Sequence, residues 1–262
     1  MNKPNVFLVI GKSFSGKDTL VNTIIRDKEF CESANVERLV RCTTRAMRPG
    51  EEEGKEYFFI SDKYYEKHYR NNPNAVTTSF NSKFGFLHYI TDFSKLDPDK
   101  NYITTGDPDM IKPFKEKLGK NHLCVIYLVT PNWVLMQRWT NRGDNEKYND
   151  KKYQEICRRF MDELVLYGAH SNEFLANTNS IINLSNGFYL PEIKEEMIRF
   201  IKGPKKSIIL SNTKMVYNND YFPRYDYDHC DRAMYKGEIS ICNGNIILNS
   251  EDSTFTGYSR LA

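Results

Sequence analysis

A glycine-rich turn near the start of the chain has the composition of a phosphate-binding loop. Residues 11–19, GKSFSGKDT, fit the pattern GxxxxGK and directly follow an apolar run at residues 6–10. Glycines let a backbone wrap closely around a phosphate, and consecutive N–H groups at a helix start face the anion. Lys17 adds a mobile positive charge for the outer phosphates. We therefore expect the phosphates of ATP to be bound by Gly11, Ser13, Ser15, Gly16, Lys17, Asp18 and Thr19.

Asp18 stands where this pattern usually has a serine or threonine that contacts Mg²⁺. A carboxylate is also a hard oxygen ligand, so it could bind the same ion directly or through water. Alternatively, Asp18 only places a negative charge at the start of a helix, where the helix dipole favours one. Both interpretations stay open at the level of the sequence, and the neighbouring Thr19 offers a hydroxyl group.

A second segment, residues 41–59, combines arginines, acidic residues and aromatic residues. It reads RCTTRAMRPGEEEGKEYFF, with Arg45 and Arg48 three residues apart. Arginines spaced in this way suit bidentate capture of a phosphate, and the hydroxyl of Tyr57 can add a further donor. A solvated loop of mixed charge is the alternative interpretation.

This segment closely resembles the TTRxxRxGExxGxxYxF signature of guanylate kinases. Its defining residues are present as Thr43, Thr44, Arg45, Arg48, Gly50, Glu51, Gly54, Tyr57 and Phe59. The resemblance implies that Arg45, Arg48 and Tyr57 hold the phosphate of the nucleotide that accepts the phosphoryl group.

The similarity continues along the chain and covers roughly residues 4–202 in all. Arg138 and Arg142 resemble the arginines of the family's helix and lid, and Arg159 resembles a later lid arginine. The resemblance implies that these arginines clamp the transferring phosphoryl group, whereas each of them alone could equally be an exposed surface charge. The catalytic residues would then be Lys17, Arg138, Arg142 and Arg159.

The site that reads the acceptor base is only partly retained. The family uses a glutamate, a small hydroxyl residue and an aspartate on the guanine edge, but residues 73–90 contain no Asp or Glu. Phe84 lies where the family has a Tyr-Gly-Ser/Thr sequence, Arg41 takes the place of a usual serine, and Asp107 is the acidic candidate that remains. Because hydrogen bonds to a base edge provide discrimination, the acceptor could be GMP or dGMP, or another or a broader set of monophosphates.

Around these motifs the sequence predicts an α/β fold. Short apolar runs that favour strands occupy residues 6–10, 37–42, 57–60, 102–105, 123–129 and 180–184. Helical patterns occupy residues 17–26, 63–69, 110–118, 132–140, 152–167 and 191–201. This alternation predicts a doubly wound, mostly parallel sheet, and the resemblance implies a P-loop kinase with acceptor-binding and lid insertions.

Gly203-Pro204 interrupts this alternation, and we expect a domain of residues 1–203 followed by a C-terminal extension, residues 204–262. In the extension, alternating or apolar segments flank Asn243-Gly244, which favours a β-hairpin over residues 238–249. The extension could pack on the core, mediate a homodimer or cover the base site.

Composition argues against several classes of partner. The net charge of +3 over 262 residues is too weak to indicate nucleic acid or a membrane surface. No apolar run approaches the roughly 20 residues that cross a bilayer, and the apolar run before Gly11 is too short for a signal peptide. The six cysteines show no CxxC pair, which favours reduced thiols and a cytoplasmic protein.

Together, the motifs predict an ATP-dependent nucleoside monophosphate kinase with Mg²⁺ as cofactor and ATP as co-substrate. One alternative is a catalytically inactive guanylate-kinase-like module that binds protein partners. The retained Lys17 and the lid arginines speak against it, since such modules tend to lose the phosphate loop. Another alternative is a P-loop kinase for a different phosphorylated small molecule, which the signature in residues 43–59 disfavours.

Overall fold

The structure is a computed structural model that describes residues 3–48, 50–82, 85–119, 121–128, 130, 135, 138–139, 159, 162–163, 166–167, 179–183, 190–202, 237–242 and 245–250. A parallel sheet with helices between its strands dominates this part of the chain. The predicted α/β fold class is therefore confirmed.

Five parallel strands form the central sheet. They are β1 (Asn5–Gly11), β2 (Val36–Arg38), β7 (Asn101–Thr105), β8 (Leu123–Leu128) and β9 (Asn179–Asn183), and their spatial order is β2-β7-β1-β8-β9. Every residue of β1 is buried, which matches its continuous apolar sequence, because a central parallel strand is covered on both faces. The loop that follows β1 is thereby fixed at the carboxyl edge of the sheet.

Helices cover both faces of this sheet. They are α1 (Lys17–Arg26), α2 (Lys28–Ala34), α4 (Ile111–Leu118) and α5 (Leu190–Lys202). The helix α3 (Asp62–His68) belongs instead to a second sheet described below. One face packs Phe7 against Ile24 and Phe200, and the other packs Leu8 against Phe114. The two clusters alternate along β1, as strand geometry requires.

A second, four-stranded sheet is inserted between β2 and β7. Its strands are β3 (Arg41–Thr43), β4 (Tyr57–Phe59), β5 (Ala75–Ser82) and β6 (Gly85–Asp92), in the order β4-β3-β6-β5. β3 pairs in parallel with β4 and antiparallel with β6, and β5 and β6 form an antiparallel hairpin. We call this sheet, with α3, the inserted unit.

The structure corrects the predicted strand at residues 37–42. It consists of two strands in different sheets, because the chain leaves the central sheet after Leu39, whose N–H donates to the Ile103 carbonyl at 2.9 Å. The β5–β6 hairpin and α2 were not predicted. The hairpin strand at residues 75–82 is rich in Thr, Ser and Asn and lacks a clear apolar alternation, and α2 is seven residues long, with its start capped by Asp27.

Most of the remaining helical predictions agree with the structure within one or two residues. The patterns at residues 132–140 and 152–167 lie largely outside the described residues; those of their residues that are described are helical. No helix in the described part of the chain is long and apolar enough to cross a membrane.

Two further strands, β10 (Gly237–Cys242) and β11 (Asn245–Ser250), pair antiparallel with each other. Residues 203 and 204, where the sequence places the domain boundary, lie outside the described residues. The division into a domain of residues 1–203 and an extension of residues 204–262 stays a prediction.

Candidate functional site

The loop between β1 and α1 has little space for side chains. A Cβ atom on Gly11 would lie 2.6 Å from Ser15 Oγ and 2.8 Å from the Leu128 carbonyl oxygen, so only glycine fits there. Gly16 precedes α1 with a φ of 99°, a left-handed conformation that favours glycine. The two glycines of the predicted pattern thus hold the loop close to the neighbouring strand β8 and start the helix.

Lys17 and Ser15 both turn toward this loop. The Lys17 ammonium donates to the carbonyl oxygens of Gly11 and Lys12, so it lies over the loop rather than in solvent. The Ser15 hydroxyl is buried and has no hydrogen-bond partner among the described residues. A buried hydroxyl without a partner is unfavourable, and a phosphate oxygen in the loop would relieve it.

A carboxylate occupies part of this anion-binding region. The backbone N–H of Ser13 donates to both oxygens of Glu163 at 2.9 Å, and the Ser13 hydroxyl donates to one of them at 2.5 Å. Burial lowers the pKa of Lys12, while the charge of Glu163 acts in the opposite direction. The loop therefore directs two donors of Ser13 at a carboxylate, and the sequence did not point to Glu163.

Asp18 lies at the start of α1 beside the end of β7. The Thr105 hydroxyl donates to Asp18 Oδ1 at 3.4 Å, and Thr105 pairs with Val9 across the parallel β1–β7 ladder. Thr19, next in the helix, is exposed. No group of three His, Cys, Asp or Glu side chains suited to a metal ion occurs among the described residues, so Asp18 contributes a single carboxylate to this region.

Asp107 lies just beyond the same end of β7, after Gly106. Its side chain is exposed and does not cap the short 3₁₀ turn that follows it. Burial raises the pKa of Tyr167, and the negative charge of Asp107 adds to this effect, so the two side chains are near each other. The Tyr167 hydroxyl in turn accepts the N–H of Gly11 at 3.0 Å, which places Asp107 on the loop side of the sheet.

Arg45 is held rigidly in the inserted unit. Its guanidinium pairs with Glu51 through two contacts of 2.7 and 2.9 Å, and its Nε donates to the Tyr89 hydroxyl at 3.2 Å. Burial opposes ionisation of both groups, but their pairing outweighs it, raising the pKa of Arg45 and lowering that of Glu51. The side chain of Arg45 is only 8% exposed, so its position is fixed before any ligand binds.

Tyr57 connects this pocket with the loop. Burial raises the pKa of Tyr57, so its phenol stays protonated, and the nearby Asp18 charge adds to that effect while Arg41 opposes it. The start of α1 therefore lies close to Tyr57. Of the loop side, the structure thus brings the Asp18 carboxylate near the Tyr57 phenol.

Arg48 differs from Arg45 in its surroundings. Its backbone N–H donates to Glu51 at 2.7 Å, and its positive charge contributes to the lowered pKa of that carboxylate. Its side chain, however, is exposed at the rim of the pocket. The structure thus brings Arg45 and Tyr57 together and leaves Arg48 at the edge.

Of the predicted catalytic arginines, Arg138 has a described contact with the loop. Its Nη1 donates to the Phe14 carbonyl oxygen at 2.6 Å. Arg159 is half-buried in a helical segment. Arg142 and Phe84 lie outside the described residues, so their places in the site stay predictions.

Aromatic residues line the inserted unit on the side of Arg45. Tyr89 packs edge-on against Tyr57 at 5.4 Å and stacks on Phe80 at 5.5 Å, measured between ring centroids. Neither Tyr89 nor Phe80 was identified from the sequence, because their neighbours come from other strands. This face offers stacking surface to a base.

The known proteins that this chain resembles are guanylate kinases. The guanylate kinase profile matches residues 3–93. The guanylate kinase of Thermotoga maritima is 37% identical over 166 residues, which cover 62% of this chain and 76% of that protein. A guanylate kinase of Streptomyces kasugaensis is 27% identical over 143 residues, covering 54% of this chain and 66% of the relative.

A shorter match has higher identity. A guanylate kinase of Bordetella pertussis is 44% identical over 57 residues, which cover 21% of this chain and 24% of that protein. Among solved structures, the guanylate kinase of Anaplasma phagocytophilum aligns over 77% of this chain and 87% of its own, at 19% identity and a TM-score of 0.46. Because the Thermotoga maritima protein is matched over most of its length at substantial identity, the chain belongs to the guanylate kinase family.

Proposed function

We propose that the chain is an ATP-dependent nucleoside monophosphate kinase that transfers the γ-phosphoryl group of ATP to GMP or dGMP. The observation that supports this most directly is that the start of α1, which follows the loop, lies near Tyr57, since the Asp18 charge acts on the pKa of the Tyr57 phenol. The loop directs the backbone N–H of Ser13 at the Glu163 carboxylate, and the inserted unit holds the Arg45 guanidinium over the Tyr57 ring. Two nucleotides bound in these places would meet through their phosphates.

The loop would bind the phosphates of ATP. The backbone N–H of Ser13 would exchange the Glu163 carboxylate for phosphate oxygens, and the unpartnered Ser15 hydroxyl would gain an acceptor. Lys17 would turn from the two carbonyl oxygens it contacts toward the outer phosphates. The residues assigned to the ATP phosphates are Gly11, Ser13, Ser15, Gly16, Lys17, Asp18 and Thr19.

The pocket would hold the acceptor nucleotide. Arg45, fixed by Glu51, and Tyr57 would bind the acceptor phosphate from inside the pocket, and Arg48 would approach it from the rim. Asp107, exposed on the loop side of the sheet, is the proposed contact to the base, with Phe84 as a neighbour. This arrangement puts a charged phosphate on guanidinium groups and the base against aromatic side chains.

Phosphoryl transfer needs alignment and charge neutralisation more than covalent chemistry. An oxygen of the acceptor phosphate forms a bond to the γ-phosphorus, the bond to the β-phosphate bridging oxygen breaks, and ADP leaves with that electron pair. That acceptor oxygen is already ionised, so no general base is required. Lys17 and Arg138, with Arg142 and Arg159, would neutralise the charge on the transferring group.

Asp18 and Thr105 provide oxygen donors suited to Mg²⁺, which accepts carboxylate, hydroxyl and water ligands. In P-loop enzymes a loop hydroxyl and a strand carboxylate commonly hold this ion. Here the carboxylate comes from the first turn of α1 and the hydroxyl from the end of β7, with 3.4 Å between them. When bound, Mg²⁺ would neutralise phosphate charge; Asp18 would hold it and Thr105 would orient the carboxylate.

We also propose a cellular compartment and partners for the enzyme. Of the described cysteines, Cys31, Cys42 and Cys124 are free thiols, and burial raises the pKa of each. Unreactive free thiols are in keeping with a cytoplasmic protein. We propose nucleotides as its partners, with neither nucleic acid nor membrane; a homodimer through residues 204–262 is the further possibility to be tested by its mass in solution.

A coupled assay with the purified protein tests the proposed function. ADP formation should depend on both ATP and a nucleoside monophosphate, with GMP and dGMP among the best acceptors. Lys17→Met should abolish turnover and leave the fold intact, whereas Lys63→Met, on the exposed side of α3, should behave like the wild type. Absence of turnover with every common monophosphate would favour a protein-binding module, and turnover only with other phosphorylated small molecules would favour a different kinase.

A further inference from the structure

Arg41, the first residue of β3, has an unusual environment for a charged side chain. It is only 6% exposed. Its Nη1 contacts the Met110 sulfur at 3.1 Å and its Nη2 donates to the Tyr57 hydroxyl at 3.4 Å. A thioether is a weak acceptor and the phenol contact is long, so the guanidinium is poorly satisfied.

Arg41 differs from Arg45 in having no ion-pair partner among the described residues. Glu51 pairs with Arg45 through both of its oxygens, while Arg41 forms no ion pair within the described part of the chain. Burial of a charge without a paired charge is strongly unfavourable. A protein retains such a group where a ligand supplies the missing charge.

The guanidinium of Arg41 is directed into the proposed acceptor pocket. Its central carbon lies 5.7 Å from the Tyr57 ring centroid and 5.6 Å from that of Tyr89. These two rings also flank Arg45, whose Nε donates to the Tyr89 hydroxyl. Arg41 and Arg45 therefore both lie against the same two tyrosines.

Charge identifies the chemical class of the missing partner. The guanidinium groups of Arg41 and Arg45 both lie over the Tyr57 ring, the charge of the exposed Arg48 acts on Glu51, and Glu51 balances Arg45. A phosphate monoester carries a charge of about −1.5 to −2 at pH 7 and accepts forked guanidinium donors well. A single carboxylate would leave the pocket positively charged.

We propose that Arg41 binds the phosphate dianion of the acceptor nucleotide, as a further binding residue beside Arg45 and Tyr57. This inference rests on the proposed kinase function. Arg41 donates to the oxygen of the Tyr57 hydroxyl, which leaves the phenol proton available for a phosphate oxygen. The three side chains would then bind the phosphate together.

Calorimetric titration of the full chain with GMP, without ATP, tests this assignment independently of turnover. Arg41→Met should raise the Kd for GMP about 10- to 100-fold, as expected for a lost charge-assisted hydrogen bond. Inorganic phosphate should compete with GMP for binding to the wild type. It should not compete with GMP for binding to Arg41→Met. Arg70→Met, which removes an exposed guanidinium from the same unit, is the matched control and should leave the Kd unchanged.

Thermal unfolding separates binding from a structural role. If Arg41 is paired only when an anion is bound, ligand-free Arg41→Met should unfold at the same or a higher temperature than the ligand-free wild type. The reason is that the substitution removes an unpaired buried charge. GMP should then stabilise the variant less than the wild type. Arg41→Lys, which keeps the charge without the fork, should fold and show an intermediate Kd.

Two results would overturn the inference. One is a Kd for GMP within twofold of the wild type in folded Arg41→Met and Arg41→Lys; the other is a ligand-free Arg41→Met that unfolds at a much lower temperature while its GMP affinity is retained. Either result leaves the kinase function intact if the wild type still turns over. A wild type that neither binds nor phosphorylates any monophosphate would overturn the proposed function and this inference together.

Discussion

Both oxygens of the Glu163 carboxylate lie 2.9 Å from the backbone nitrogen of Ser13. Glu163 is 150 residues away in sequence, yet it occupies donors that the loop would present to a nucleotide phosphate. In the ligand-free chain this carboxylate accepts the hydrogen bonds of donors in the loop. Binding of ATP requires that it leave those donors.

The first prediction concerns this competition. Glu163→Gln removes the negative charge and weakens the hold on Ser13, so we expect the Kd for ATP to fall about 2- to 10-fold, the range of one hydrogen bond. The ligand-free protein should also lose some stability. Calorimetric titration with ATP measures the first effect and thermal unfolding the second. Glu116→Gln, an exposed change on α4, serves as control; weaker ATP binding in Glu163→Gln alone would show that Glu163 assists rather than opposes the nucleotide.

The second prediction concerns the pH dependence of the Arg45–Glu51 pair. The folded-state pKa of Glu51 lies below its ordinary value of 4.5. The stabilisation from this carboxylate is therefore complete above about pH 4.5 and is lost as the pH falls through the folded-state pKa. Glu51→Gln should cost roughly 1–3 kcal/mol of unfolding free energy at pH 7.

The difference in unfolding temperature between the wild type and Glu51→Gln should consequently shrink below pH 4.5. Urea unfolding at pH 7 and calorimetric scans from pH 7 to pH 3 measure the two effects. Glu66→Gln, which removes an exposed pair with Arg70, should show little effect at any pH. A difference that stays constant down to pH 3 would contradict a lowered pKa for Glu51.

Asp18 and Thr105 have exchanged the usual side-chain types of a P-loop enzyme: a carboxylate follows Lys17, and a hydroxyl lies at the end of β7. Mn²⁺ can be used as a substitute for Mg²⁺. In the presence of ATP, Asp18→Thr should weaken the binding of Mn²⁺ by about tenfold. Asp18→Thr combined with Thr105→Asp should restore part of the affinity. Changes close to a metal typically alter its affinity about 10- to 100-fold. Electron paramagnetic resonance of free Mn²⁺ gives the affinity without any turnover. Unchanged Mn²⁺ affinity in Asp18→Thr, together with lower stability of α1, would instead assign Asp18 to the helix start.

Local parts of this site could be predicted from the sequence. The loop, β1 and α1 are contiguous, and the glycine spacing with Lys17 sets their order. The sequence also singled out Arg45 and Tyr57, because both lie in one segment whose pattern is specific, and the structure brings their side chains together.

The contacts that depend on strand pairing could not be predicted. Arg41 pairs with Tyr57 only because β3 and β4 run in parallel, and Tyr89 joins them through the antiparallel pairing of Thr43 with Tyr89 on β6. The sequence marked Arg41 as a departure from the family pattern, but its burial without a counterion became visible only in three dimensions. No sequence pattern around Glu163 indicated that it would contact the loop.

We propose that two nucleotides bind end to end, one on the Lys17 loop and the other in the Arg45–Tyr57 pocket. The most direct measurement is calorimetric binding of adenosine and guanosine joined by a pentaphosphate. Because joining two ligands that bind adjacent sites removes much of the entropy lost in the second binding event, its Kd should be at least about 100-fold below that of ATP or GMP alone. Lys17→Met and Tyr57→Phe should each weaken it. A joined ligand that binds no more tightly than ATP, and whose affinity is unchanged in Tyr57→Phe, would contradict the facing of the two sites.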